Sequence, residues 1–301
     1  MSYGSFPPSS GRRGGTLAVV LAALIPACFA GWLLWSSFGG QDPGQDDGNP
    51  GDSGLPTASS TTSPSPPPAG PPSDAPAKSL KGKVVVIDAG HNPNNRDHSA
   101  QIARRVDIGT DKKECDTTGT ATNSGYAEAS FTLDVARRAR TLLEARGATV
   151  KFTQDGKREF GPCVDERAEI GNKAHADAVV SVHADGAGSG ERGFHVILPK
   201  SVRGGGADTS AITKPSRRLG ERLLDAFAEE TGSEPAGYIG DGSGLDVRGD
   251  LGGLNLSTVP KVFIECGNMR DAKDAAHLTD ARWRERAARG VARGITDFLN
   301  G

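Results

Sequence analysis

From Leu80 onward the chain alternates short, continuously apolar runs with longer stretches whose apolar residues recur at helical spacing. That alternation constrains the fold more than any other feature. Residues 83–88 (KVVVID), 178–183 (AVVSVH) and 260–265 (PKVFIE) read as strands apolar on both faces, and 148–153 and 193–198 as two more. Between them, residues 126–146 place Phe131, Val135, Ala139 and Leu142 on one stripe, with Gly147 as a stop. Residues 164–174, 216–230 and 282–299 are further helices, the last with Trp283, Ala287, Val291 and Ile295 on one face. Strands buried on both faces and alternating with helices specify an α/β fold: a mixed, mainly parallel twisted sheet flanked by helices, in a single catalytic domain over residues 80–301. The link from His183 to Gly193 is too short for a helical crossover, so one strand pair is expected to be antiparallel.

The 79 residues before that domain are of a different kind. Residues 16–38 are apolar or small and uncharged, long enough at about 1.5 Å per residue to span a bilayer core of about 30 Å. Arg12 and Arg13 precede the run and no base follows it until Lys78. The positive-inside rule therefore makes residues 1–15 a cytoplasmic tail and exports everything after residue 39. Residues 16–38 read as a signal anchor or, equally, as a cleaved signal peptide. Residues 39–79 are rich in Pro, Ser and Gly, with ten of the chain's 19 prolines between 43 and 76. Such a segment cannot bury enough apolar area to order itself and reads as a disordered linker. The protein is expected at the cell envelope, anchored or secreted.

Charge excludes one large class of function. Three of the 35 basic and five of the 37 acidic side chains precede residue 79, which leaves the domain with equal numbers of each. Nucleic acid is not the expected partner of a neutral domain. The membrane is reached only through the N-terminal segment, and nothing indicates an oligomer, so a monomer is expected.

The chemistry lies at strand ends. Three strands finish in His91, His183 and Glu265, and in open α/β sheets those ends line the ligand crevice. Glu128 shares a helix stripe with Phe131 and Val135, and a carboxylate on an apolar face is costly unless paired or bound to metal. Two imidazoles and a carboxylate form a catalytic zinc set with a position left for water. Amide hydrolysis also needs a group that takes the water proton and returns it to the leaving nitrogen, and Glu265 is the candidate.

The stretches IDAGHN, YAEASFTLDVA, SVHAD and RGDLGGLNLSTVPKVFIECGNMRDAKDAAHL, followed by a terminal helix, resemble the zinc-dependent N-acetylmuramoyl-L-alanine amidases of the type 3 family over nearly all of residues 83–299. The resemblance implies a peptidoglycan hydrolase that cleaves the amide between the lactyl group of N-acetylmuramic acid and L-alanine of the peptide stem. It implies Zn2+ as cofactor, held by His91, Glu128 and His183, with Glu265 catalytic and peptidoglycan or muropeptide fragments as substrate. Asp88 would sit behind the metal ligands, and Arg248 would contact substrate. A zinc peptidase acting on stem peptides and a non-catalytic wall-binding protein are the competing readings.

Residues 93–125 join two of the proposed ligands and are expected to cover part of the cleft. No large helical insertion follows residue 199, so a built-in blocking helix is not expected. Cys28 lies in the apolar segment, and strand alternation points Cys266 away from Glu265. Cys115 and Cys163, both in loops of an exported domain, are expected to form a disulfide. GSGERG at 188–193 leads into a strand rather than a helix and fails as a nucleotide loop. His98, His175, His195 and His277 are assigned structural or surface roles, with His98 the nearest to the site.

Overall fold

The computed structural model describes residues 78–301. The tail (1–15), the apolar segment (16–38) and all but the last two residues of the linker (39–79) lie outside the described residues. Among those described, no helix is long and apolar enough to cross a membrane.

In chain order the strands are β1 (Val84–Ala89), β2 (Arg105–Asp107), β3 (Lys112–Glu114), β4 (Thr149–Phe152), β5 (Ala178–Asp185), β6 (His195–Pro199), β7 (Arg203–Gly204), β8 (Ala207–Asp208), β9 (Leu245–Arg248) and β10 (Lys261–Asn268). The α-helices are α1 (Ser99–Ile102), α2 (Glu128–Glu144), α3 (Val164–Lys173), α4 (Thr213–Thr231), α5 (Gly252–Asn255), α6 (Ala272–Thr279) and α7 (Ala281–Asn300). Six strands form one sheet in the order β4-β1-β5-β10-β6-β9. The first four run parallel, β6 lies antiparallel to β10, and β9 is parallel to β6. The expected antiparallel pair is therefore β6 with β10, because β10 inserts between β5 and β6. β2 with β3, and β7 with β8, make two small separate hairpins.

Both faces of the central strands are covered, which is why their sequences are apolar without alternation. Val85, Ile87 and Ala89 of β1 point into the main core with Phe131 and Val135 of α2 and Trp283 and Val291 of α7. Val86 points the other way, onto Val179 and the Ile170–Ala176 end of α3. The stripe expected on α7 is buried throughout. On α2 the helix begins at Glu128 rather than Tyr126, and Leu143 takes the deep position while Leu142 is half-buried at the core edge. Two elements carry weak sequence signals. Strand β9 is four residues in a Gly-rich stretch, and α6 is a short helix capped by Asp271, whose side chain accepts from the Lys273 and Asp274 amides.

Strand register positions the chemistry. Asp88 of β1 pairs with Ser181 of β5, and His183 of β5 pairs with Glu265 of β10. The carboxyl ends of three adjacent parallel strands therefore stop at one edge of the sheet.

Candidate metal centre and cleft

His91 follows β1 in a left-handed turn, with φ at 59°. Glu128 is the first residue of α2, and its carboxylate is buried. Its Oε1 stands 3.1 Å from His91 Nε2 and 2.9 Å from His183 Nδ1. The donor atoms of these three residues all lie within 4.8 Å of one another. Two imidazole nitrogens and a carboxylate oxygen this close together are a donor set of the type that holds zinc. Main-chain amides anchor the carboxylate, Thr120 N–H to Oε2 at 2.9 Å and Ala184 N–H to Oε1 at 3.2 Å.

Two glycines make this convergence sterically feasible. A Cβ at Gly90 would lie 2.4 Å from the His183 ring. At Gly119, with φ at +73°, a Cβ would meet His91 at 2.7 Å and Glu128 at 2.8 Å. The His183 ring is stacked on Phe263, with centroids 5.2 Å apart.

The electrostatics call for a cation between these donors. His91 Nδ1 lies 3.2 Å from both the carbonyl and the hydroxyl of Thr117, and Nε2 faces the Glu128 oxygen. Burial opposes charge on the ring, yet Glu128 and Asp116 outweigh it and lift the His91 pKa from 6.5 to about 10. Glu128 is held below the usual carboxylate range: burial works against this, and the two imidazoles more than offset it. A positive charge is thus favoured where Nε2 meets Oε1, and a metal ion held there would take the place of that proton.

Glu265 stands apart. Its Oε2 is buried without a hydrogen-bond partner. Burial, with the Glu128 and Asp185 carboxylates nearby, pushes its carboxyl well above the usual range. A cation among the three donors would counter part of that push. On the far side, Asp185 accepts from the Tyr238 hydroxyl at 2.9 Å, and His195 packs edge-on to the Tyr238 ring.

Two hollows adjoin at His91, His183, Arg248 and Phe263. One, of about 350 Å³, is walled by Arg105 and Lys113 of the β2–β3 hairpin. The other, of about 500 Å³ and more open, reaches Glu128, Asp185 and Glu265. The 93–125 segment therefore walls the cleft, as its position between two proposed ligands suggests. Arg248 is at the junction, but Asp250 holds its guanidinium through two hydrogen bonds of 2.9 and 2.7 Å, which accounts for the RGD triplet as a local ion pair.

Asp88 is bonded elsewhere than to the proposed metal ligands. It is buried, makes no hydrogen bond to His91, Glu128 or His183, and accepts instead from Thr153, Arg167, Ser181 and Lys261. The carboxylate that faces His91 from the side opposite Glu128 is Asp116, 3.6 Å from Nδ1, and Arg167 joins it to Asp88. Asp116, Arg167 and Lys261 escape sequence reasoning, although an Asp inside an apolar strand already demands a buried counter-charge. A disulfide links Cys115 to Cys163, and Cys266 is buried in the core. His98 does not reach the centre: it packs on Phe160, 4.0 Å from Glu159. His277 stacks on Trp283.

Comparison with known proteins agrees with this geometry. Residues 85–297 match the family described as N-acetylmuramoyl-L-alanine amidase (Amidase_3). An N-acetylmuramoyl-L-alanine amidase of Mycobacterium tuberculosis is 37% identical over 222 residues, covering 73% of this chain and 88% of the relative. The crystal structure of the amidase Ami1 from Mycobacterium smegmatis superposes with a TM-score of 0.68 at 39% identity, covering 74% of this chain and 99% of that one. Ami1 from Mycobacterium abscessus gives 0.67 at 40% identity, covering 73% and 100%. With its fold and most of its described length in common with these enzymes, the chain belongs to the N-acetylmuramoyl-L-alanine amidase family.

Proposed function

We propose that this protein hydrolyses the amide bond between the lactyl group of N-acetylmuramic acid and L-alanine of the peptide stem in peptidoglycan. The observation that carries the proposal is the convergence of His91 Nε2, Glu128 Oε1 and His183 Nδ1 beside a buried glutamate with a free oxygen. His91, Glu128 and His183 would hold Zn2+. Zinc, when bound, supplies Lewis acidity and makes a water nucleophilic near neutral pH.

The remaining work falls to the chain itself. Glu265 Oε2 has no competing donor, so it is free to accept the proton of the attacking water and return it to the leaving nitrogen of L-alanine. Stacking on Phe263 and the hydrogen bond at Nδ1 keep the rings of His183 and His91 aimed at the centre. Arg248 stands where the two hollows meet, a place from which it would contact substrate.

The family's role in the cell wall supports work in the envelope. The apolar segment at 16–38 would serve as anchor or export signal, with residues 39–79 as the spacer that lets a monomeric domain reach the wall.

Digestion of purified muropeptides by wild type and Glu265→Ala tests the proposal. Release of lactyl-bearing glycan and an intact stem peptide by wild type alone is the expected result. Peptide–peptide cleavage would favour a stem peptidase, and equal activity in the variant would overturn the role of Glu265. Elemental analysis of wild type and His91→Ala tests the zinc assignment separately.

A further inference from the structure

We infer that Arg167 is a positioning residue for His91, acting through Asp116 and through the main chain of the turn that carries His91. The inference rests on the proposed role of His91 as a zinc ligand.

Arg167 is 5% exposed and lies on α3, away from the metal donors. All five of its N–H donors are engaged. Nε donates to the Pro162 carbonyl at 3.0 Å. Nη1 donates to Asp88 Oδ1 at 2.7 Å and to the Ala89 carbonyl at 2.8 Å. Nη2 donates to Asp116 Oδ2 at 2.9 Å and to the His91 carbonyl at 3.1 Å. Charge neutralisation alone would need one of these bonds. Two of the five instead hold the main chain at Ala89 and His91, on either side of Gly90.

That turn needs holding. His91 has φ at 59°, a conformation that costs a residue with a Cβ on the order of 1 kcal/mol. Its carbonyl is gripped by Arg167 and by Gln154 Nε2 at 2.8 Å. Its ring is held from the other side. Asp116 Oδ1 accepts the Thr117 amide at 2.8 Å and lies 3.6 Å from His91 Nδ1, and the Thr117 carbonyl lies 3.2 Å from the same nitrogen. One guanidinium therefore bonds the His91 backbone directly and holds the carboxylate that lies beside the outer nitrogen of its ring.

The linkage also closes covalently. Asp116 follows Cys115, which is bonded to Cys163, and the Cys163 carbonyl accepts the Arg167 amide at 2.9 Å. A lysine at 167 would keep the charge but present a single point of attachment, and could not span Asp88, Asp116 and the two carbonyls.

The test is zinc affinity by chelator competition on the full chain, for wild type, Arg167→Lys and the near-isosteric Asp116→Asn. Outer partners of metal ligands typically contribute 10–100-fold in affinity, so each variant is expected to bind zinc roughly 10–100-fold more weakly. The double variant should lose little beyond either single one, because the two side chains act as a unit. Arg158→Lys, in the exposed Arg158–Glu166 pair nearby, should bind as wild type does. A structural role alone would lower the melting temperature of the variants and leave zinc affinity of the folded protein unchanged, and that result overturns the inference. Wild type that binds zinc but leaves muropeptides intact would refute the proposed reaction while this inference stood or fell on the affinities. Wild type that binds no zinc would end both.

Discussion

Around Asp88 and His91, Arg167 uses every donor it has, and Asp88 accepts from four side chains. Across the centre, Glu265 Oε2 and His195 Nδ1, on residues paired between β10 and β6, are buried with no partner. Both regions are interior and polar, yet one is saturated with hydrogen bonds and the other leaves capacity unused. Buried polar groups are ordinarily paired, so the exceptions call for a reason. On the proposed roles of His91 and Glu265, the difference separates a group that must stay still from one that must exchange protons. A metal ligand gains from a fixed ring, whereas a general base with all its acceptors engaged could not take a proton.

This contrast can be broken by substitution. Glu265→Gln should cut turnover by about 10²–10⁴-fold while leaving zinc content unchanged and the melting temperature no lower than wild type. A large loss of stability would mean that Glu265 is wired in as Asp88 is. Asp88→Ala should do the reverse. It touches no proposed reacting atom, but it strands Lys261 and Arg167, and breaking a buried pair typically costs about 3–5 kcal/mol. Urea unfolding that shows a loss below about 1 kcal/mol would show that the saturated side is not the stabilising one.

Replacing Cys115 and Cys163 with serine opens a 48-residue separation, and the chain-entropy account gives a loss of about 4 kcal/mol. Denaturant midpoints with and without the disulfide measure it. The smallest effect concerns acid. Burial works against charging Asp116, but Arg167 and His91 prevail and lower its pKa from 3.8 to about 2. A carboxylate depressed on folding contributes stability that is present above the unfolded pKa and lost as pH falls through the folded one. Stability of the metal-free protein should therefore decline between about pH 4 and pH 2, and the decline should be shallower in Asp116→Asn.

The sheet and the proposed reacting groups were legible because each left a local mark. A strand covered on both faces is a short apolar run, and a functional group at its end stands out against it, as His183 does after AVVSV. The stripe of Trp283, Ala287, Val291 and Ile295 was equally plain, since one face of α7 meets the core along its length. The saturated network left no such mark. Arg167 lies 79 residues from Asp88 and 51 from Asp116, and Lys261 lies 173 from Asp88. These pairings exist only once the sheet has assembled, and Arg167 and Asp116 by themselves are indistinguishable from surface charges. Strand β9 was hidden for another reason: at the sheet edge, with Val247 exposed, it has no need of an apolar run.

The insertion of β10 between β5 and β6 also has a consequence for biosynthesis. Strands on both sides of the gap leave the ribosome before the strand that fills it, and Glu265 is on that strand. A nascent chain that has folded everything up to residue 260 holds His91, Glu128 and His183 but lacks the glutamate. With Glu265 in its proposed catalytic role, the potential to cut a cell's own wall would be withheld until the last strand has been made.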